Sequence, residues 1–265
     1  MAPATGAPMV ILTVLLLACA GAGGFAFFGV TVVRRLFRRN LVAGHNDTCA
    51  AIFQTGGTLY AVFLAFLVVA VWQSHDAAHA NVAEEASLLC TLYRGSTAMP
   101  PAQGAALRGD IRRYTHAVID DEWNIQAHDG AASETARAAG LAMFRLFGTP
   151  QAQPTSPAVE QIELGLIAQM QADRNKRTLQ AEETLSPLIW ATAVANGMLV
   201  LVISFFLETD RVWTHVALSG LLAVMIATLL SVVFILDRPF GGLMPLQPDA
   251  FVHSLGVYDS VDRSG

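Results

Sequence analysis

Four uncharged apolar stretches, residues 9–33, 49–72, 188–207 and 212–236, run 25, 24, 20 and 25 residues. A helix needs roughly 20 apolar residues to cross about 30 Å of hydrocarbon, so each stretch is long enough to span a bilayer. They form two pairs around a hydrophilic stretch, 73–187. That stretch holds 9 Lys plus Arg and 14 Asp plus Glu. The chain as a whole is only 14% charged, against about 25% in an average soluble domain, and the deficit lies in the four spans. No strand-like alternation of useful length occurs. The expected fold is therefore an all-α membrane protein: four transmembrane helices with a helical extramembrane domain inserted between spans two and three. The expected divisions are a first helix pair (9–72), the helical insert (73–187), a second pair (188–236) and a coil tail (237–265) rich in Gly and Pro.

Arg34, Arg35, Arg38 and Arg39 follow the first span. Short loops dense in arginine stay cytoplasmic, which places the insert and both termini on the extracytoplasmic side of the cell inner membrane. Residues 1–8 carry no Lys or Arg, so the first span reads as a retained helix rather than a cleaved signal.

The second span should continue as one helix beyond the bilayer. From 74 to 93 there is no Pro or Gly, and Val82, Ala86, Leu89 and Tyr93 recur at helical spacing. Further helices are expected over 103–127, 133–147 and 158–184, the last with Val159, Ile162, Leu166 and Met170 on its apolar face. Ser186-Pro187 has the form of an N-cap followed by proline at the first helical position of the third span.

The second span is unlike the other three. Ala50, Gln54, Gly57, Ala61, Ala65 and Val68 fall on one stripe, with Thr58 beside it. Such a stripe suits a wet pathway in which Gln54 and Thr58 offer uncharged ligands to an ion. It equally suits close helix packing, since Gly57, Ala61 and Ala65 are small residues four apart. His45, Asn46 and Asp47 open this span, as groups at a pore mouth or as a helix cap.

Two other clusters have the residue types of a chemical site. His75 and His79 stand at i and i+4 on one helix face, as metal ligands do, and also as exposed polar groups at a helix's exit from the bilayer do. Asp120, Asp121 and Glu122 could serve acid/base chemistry, or form salt bridges to Arg112, Arg113 or another helix. No Walker A, G-x-S-x-G or dinucleotide fingerprint accompanies them, so no enzyme, catalytic residue, metal or cofactor is expected. Cys19, Cys49 and Cys90 lack metal or disulfide spacing and read as small apolar filler. The acidic insert excludes a basic nucleic-acid surface.

The runs His45-Asn46-Asp47, Ala51-Ile52-Phe53, Leu59-Tyr60-Ala61-Val62, Leu64-Ala65-Phe66 and Val71-Trp72 resemble the bestrophin-like domain family of mainly bacterial membrane proteins. Glu85-Ala86, Leu92-Tyr93-Arg94, Tyr114, Glu122-Trp123, Leu188 with Trp190, and Leu236-Asp237-Arg238-Pro239-Phe240 with Gly242 carry the resemblance along nearly the whole chain. It implies kinship with bestrophins, pentameric anion channels of four spans in which the second lines the pore. On that reading the chain is a homo-oligomeric, anion-conducting ion channel that passes small ions through the bilayer, with Gln54, Gly57, Thr58, Ala61, Ala65 and Val68 along the pore. His45, Asn46 and Asp47 would stand at its mouth. The alternative is a membrane-anchored sensory or scaffold protein whose helical domain binds a partner. Bestrophins keep their helical insert in the cytosol, and the arginines after the first span predict the reverse here.

Overall fold

The computed structural model describes residues 7–37, 45–148, 155–207 and 211–264, and every regular element among them is helical. In order these are α1 (Ala7–Phe37), α2 (His45–Gly95), α3 (Pro101–Ala117), α4 (Trp123–Asp129), α5 (Glu134–Phe147), α6 (Pro157–Glu182), α7 (Pro187–Phe205), α8 (Val212–Leu236) and α9 (Asp249–Ser264). A π-helical turn, Val118–Glu122, joins α3 to α4. Four helices are long and apolar enough to cross a membrane: α1, α2, α7 and α8. Residues 38–44, including Arg38 and Arg39, and the His45 side chain lie outside the described residues.

The chain divides into two compact units, residues 1–73 with 184–237, and residues 74–183 with 238–265. In the first, α1 packs chiefly on α8, and α7 packs on both. The interior is Ala26 and Val30 of α1, Tyr60, Leu64, Leu67 and Val71 of α2, Val200, Leu201 and Phe205 of α7, and Ala223, Ile226 and Val233 of α8. The outward faces are just as apolar, with Leu12, Leu16, Phe28, Leu218, Leu221 and Met225 exposed. Helices that are apolar on every side belong in lipid. Ser186 caps α7 as its sequence predicts, its Oγ accepting from the Leu188 N–H at 3.3 Å.

The second unit takes α2 from residue 74 onward, unbroken as the missing Pro and Gly predict. At 51 residues the whole helix is about 76 Å long. Leu89, Leu92, Leu107, Ile111, Val118, Met143, Ile167, Met170, Phe240 and Phe251 form the core. Ser133 is the N-cap of α5, accepting from the Thr135 and Ala136 N–H groups. Gly130, at φ +69°, ends α4 in the left-handed region, where a side chain would be strained.

Two expectations are corrected. The tail is coil only to residue 248. Beyond it α9 buries Phe251, Ser254 and Tyr258 on one face. On α6 Met170 is buried and Val159 and Leu166 pack against the core as expected, but Ile162 is 62% exposed. The inward face also carries Glu163, Ile167, Asp173, Arg174 and Arg177, so it is partly charged and centred about one residue round from the expected stripe.

Candidate functional site

Along α2 the residues that meet the chain's own spans are Tyr60, Leu64, Leu67 and Val71, at i, i+4, i+7 and i+11. Of the expected stripe, Gln54, Gly57, Ala61 and Ala65 lie away from them, whereas Val68 packs partly against the same core. Gln54, Thr58, Ala61 and Ala65 are exposed, and Gly57 and Val68 are partly so. A Cβ built on Gly56 or Gly57 meets nothing within 4 Å. Among the described residues Gly57, Ala61 and Ala65 therefore form no seam between helices. The Thr58 hydroxyl donates to the Gln54 carbonyl at 2.8 Å, and Thr55 donates to Ala51 at 3.0 Å. These hydroxyls spend their protons on their own helix, which leaves the Gln54 amide as the side-chain N–H donor of the stripe. Asn46 and Asp47 fall inside the first described turn of α2. Asp47 there complements the positive end of the helix dipole.

The acidic cluster does not act as one group. Asp120 faces His116 at 3.6 Å, and Asp121 accepts from the Ser133 hydroxyl. Glu122 turns inward to α6, not to Arg112 or Arg113. Arg174 pairs with it and also donates to the Ser133 carbonyl at 3.1 Å. Arg177 is fully buried and donates to Glu85 at 2.7 and 3.1 Å, to Glu122 at 2.8 Å and to Gln126 at 2.8 Å. Its guanidinium also stands 5.7 Å from the Trp123 ring centroid and 5.6 Å from that of Phe251. Tyr114 donates to Glu85 at 2.5 Å. Two arginines thus meet two glutamates with no net charge. Burial works against the charged guanidinium of Arg177, but Glu85 beside it prevails and its pKa rises. Burial, and then the Glu85 charge, push the Tyr114 phenol well above its ordinary value.

Arg112 belongs to another cluster. It donates to Asp259 and Asp262 of α9 at 2.8 and 2.9 Å and covers the stacked rings of Tyr93 and Tyr258, 4.3 Å apart. Arg113 pairs with Asp110. Glu163 has no such company. It is 3% exposed, lies against Gly95, and its Oε2 has no hydrogen-bond partner. Burial pushes its pKa up to about 7.

Sequence reasoning missed Arg174 and Arg177 as interior groups. Their signal was present: both continue the helical spacing of Ile167 and Met170, so an apolar face that turns charged marks buried pairing. Several residues of the resemblance meet one another. Trp190 Nε1 donates to Asp237 at 3.1 Å, and Asp237 also accepts from the Leu185 N–H at 2.7 Å. Trp123 meets the Phe240 ring edge-on, with centroids 5.5 Å apart.

The fold is shared with known structures. A crystal structure titled a membrane protein, a proline-to-alanine variant, superposes with a TM-score of 0.71 at 14% identity, covering 96% of this chain and 98% of that one. A bacterial bestrophin homologue from Klebsiella pneumoniae with a leucine-to-threonine change gives 0.71 at 15% identity, covering 96% and 99%. An isoleucine-to-threonine variant of a bestrophin homologue from the same organism gives 0.68 at 15%, covering 95% and 98%. No curated protein matches the sequence. The family model for the Bestrophin-like domain matches residues 20–251, nearly the whole of this membrane protein. The chain belongs to the Bestrophin-like domain family.

Proposed function

We propose that this chain is the subunit of a homo-oligomeric, anion-conducting ion channel whose pore is lined by α2. One observation carries the reading. Gln54, Gly57, Thr58, Ala61 and Ala65 of the stripe are turned away from the chain's own spans, while the opposite face of α2 is buried among them and Val68, at the stripe's end, packs partly against that core. A ring of subunits would bring the stripes together around a common axis, and a pentamer follows by analogy with bestrophins. Gln54 would then present amide donors to a passing anion, and Ala61, Ala65 and Val68 would form an apolar constriction beyond it. His45, Asn46 and Asp47 stand at the mouth. Residues 73–187 form the insert between spans two and three, and the arginines after α1 set it and both termini outside the cytoplasm of a cell inner membrane. Family membership and a fold shared with bacterial bestrophin homologues support a channel.

The test is halide flux from liposomes holding the purified oligomer. Ala61→Trp narrows a pore lined by this stripe and abolishes flux. Leu218→Trp, on the exposed face of α8, leaves flux intact. Folded oligomer that passes no ion, or an Ala61→Trp variant that conducts like its parent, defeats the proposal. A monomer, or a dimer sealed by lipid, points instead to a membrane-anchored scaffold.

A further inference from the structure

His75 and His79 lie one turn apart on α2 and line the same hollow of about 240 Å³. Its other wall is the segment after α8, with Met244, Gln247 and Asp249. Two features of this hollow are unusual. The His75 Nε2 is buried and has no hydrogen-bond partner, which an imidazole nitrogen tolerates poorly away from water. Met244 is 50% exposed on a coil, although a thioether used only for packing belongs in the core.

The donor set selects among metals. Among the described residues no three His, Cys, Asp or Glu side chains are placed to hold an ion together, so a zinc site of nitrogen, thiolate and carboxylate ligands is not formed. Two imidazoles and a thioether are a softer set, and soft ligands select copper(I). We propose that His75, His79 and Met244 bind a copper(I) ion in this hollow. The i, i+4 spacing brings both imidazoles to one face, and the coil around Met244 supplies the third ligand from the opposite wall. Asp249 adds negative charge at the rim. Binding gives the bare His75 nitrogen the partner it lacks.

The experiment uses full-length protein in detergent, without oxygen, with Cys19, Cys49 and Cys90 replaced by serine so that thiols do not compete. Copper(I) is titrated against a chromophoric chelator. One ion binds per chain in the parent, and none in His75→Ala/His79→Ala. Met244→Leu weakens copper(I) by at least about tenfold, the scale on which even outer-shell groups act. X-ray absorption of the loaded parent shows a sulfur neighbour that Met244→Leu loses. His79 and Met244 are exposed, so matching thermal melts will establish that the variants are folded. Equal copper(I) binding with and without the histidine pair overturns the proposal. So does a copper shell of nitrogen and oxygen alone, or a Met244→Leu variant that binds as its parent does.

Discussion

Replacing Glu163 with glutamine should stabilise the protein at pH 8 by up to about 3 kcal/mol. The figure follows from where the carboxyl sits. Glu163 is buried against Gly95 with one oxygen unpartnered, and burial raises its pKa from an ordinary 4.5 to about 7. Each pKa unit is about 1.36 kcal/mol of lost preference for the charged form. Below pH 4.5 the group is protonated in both folded and unfolded chains, and the stability it allows is fully present. Between 4.5 and 7 the unfolded chain releases the proton while the folded chain keeps it, so stability falls as pH rises. Above 7 the loss is complete. Glutamine keeps the shape and never ionises, so its stability should not fall through this window. Intrinsic-fluorescence melts of both proteins in detergent, from pH 4.5 to 8, supply the difference directly and cancel the other titrating groups. At pH 8 the variant should melt about 6–12 °C higher, taking 2–4 °C per kcal/mol for a protein of this size. Parallel curves across the whole range would refute the reasoning, as would a variant that melts lower than its parent at pH 8.

Arg177→Met leaves Glu85 with the Tyr114 hydroxyl and no buried cation, and Glu122 with Arg174 alone, and should cost about 3–5 kcal/mol in a thermal melt, far more than removing a surface charge. Arg137→Met breaks only an exposed pair with Glu134 and should leave the melt essentially unchanged. Gly241→Ala would place a Cβ 2.4 Å from the Ala127 carbonyl oxygen. Backbone there cannot swing aside as a side chain can, so the variant should lose about 1–3 kcal/mol by chemical denaturation.

Legibility in the sequence followed the physics of each element. Apolar length alone identified α1, α2, α7 and α8, since a span needs no particular partner to be apolar. Ser186 was readable because capping is local. The tail misled because the Gly and Pro of 239–248 obscured Phe251, Ser254 and Tyr258, whose spacing is helical but whose polar neighbours hide it. The face of α6 was misjudged for a related reason. Arg174 and Arg177 look like surface residues until Glu85 and Glu122 arrive from elements about 50 to 90 positions away in sequence. Within the candidate site, the α2 stripe could be listed residue by residue from its period. Its freedom from the chain's own spans could not, because that depends on which face Tyr60 and Leu64 bury.

The π-helical turn at Val118–Glu122 gives one residue of length a large effect. An α helix advances about 100° per residue, so a turn carrying one residue more than α geometry resets the phase of everything after it. Glu122, Trp123 and Gln126 reach the Arg177 side only in that reset phase. Deleting a single residue from this turn would restore an ordinary helix and rotate all three toward water at once. Most single deletions in a helix spoil a few contacts near the cut. Here one would leave Arg174 without its carboxylate and Arg177 with Glu85 alone. Chains of this kind should therefore tolerate substitutions in the turn more readily than any change in its length.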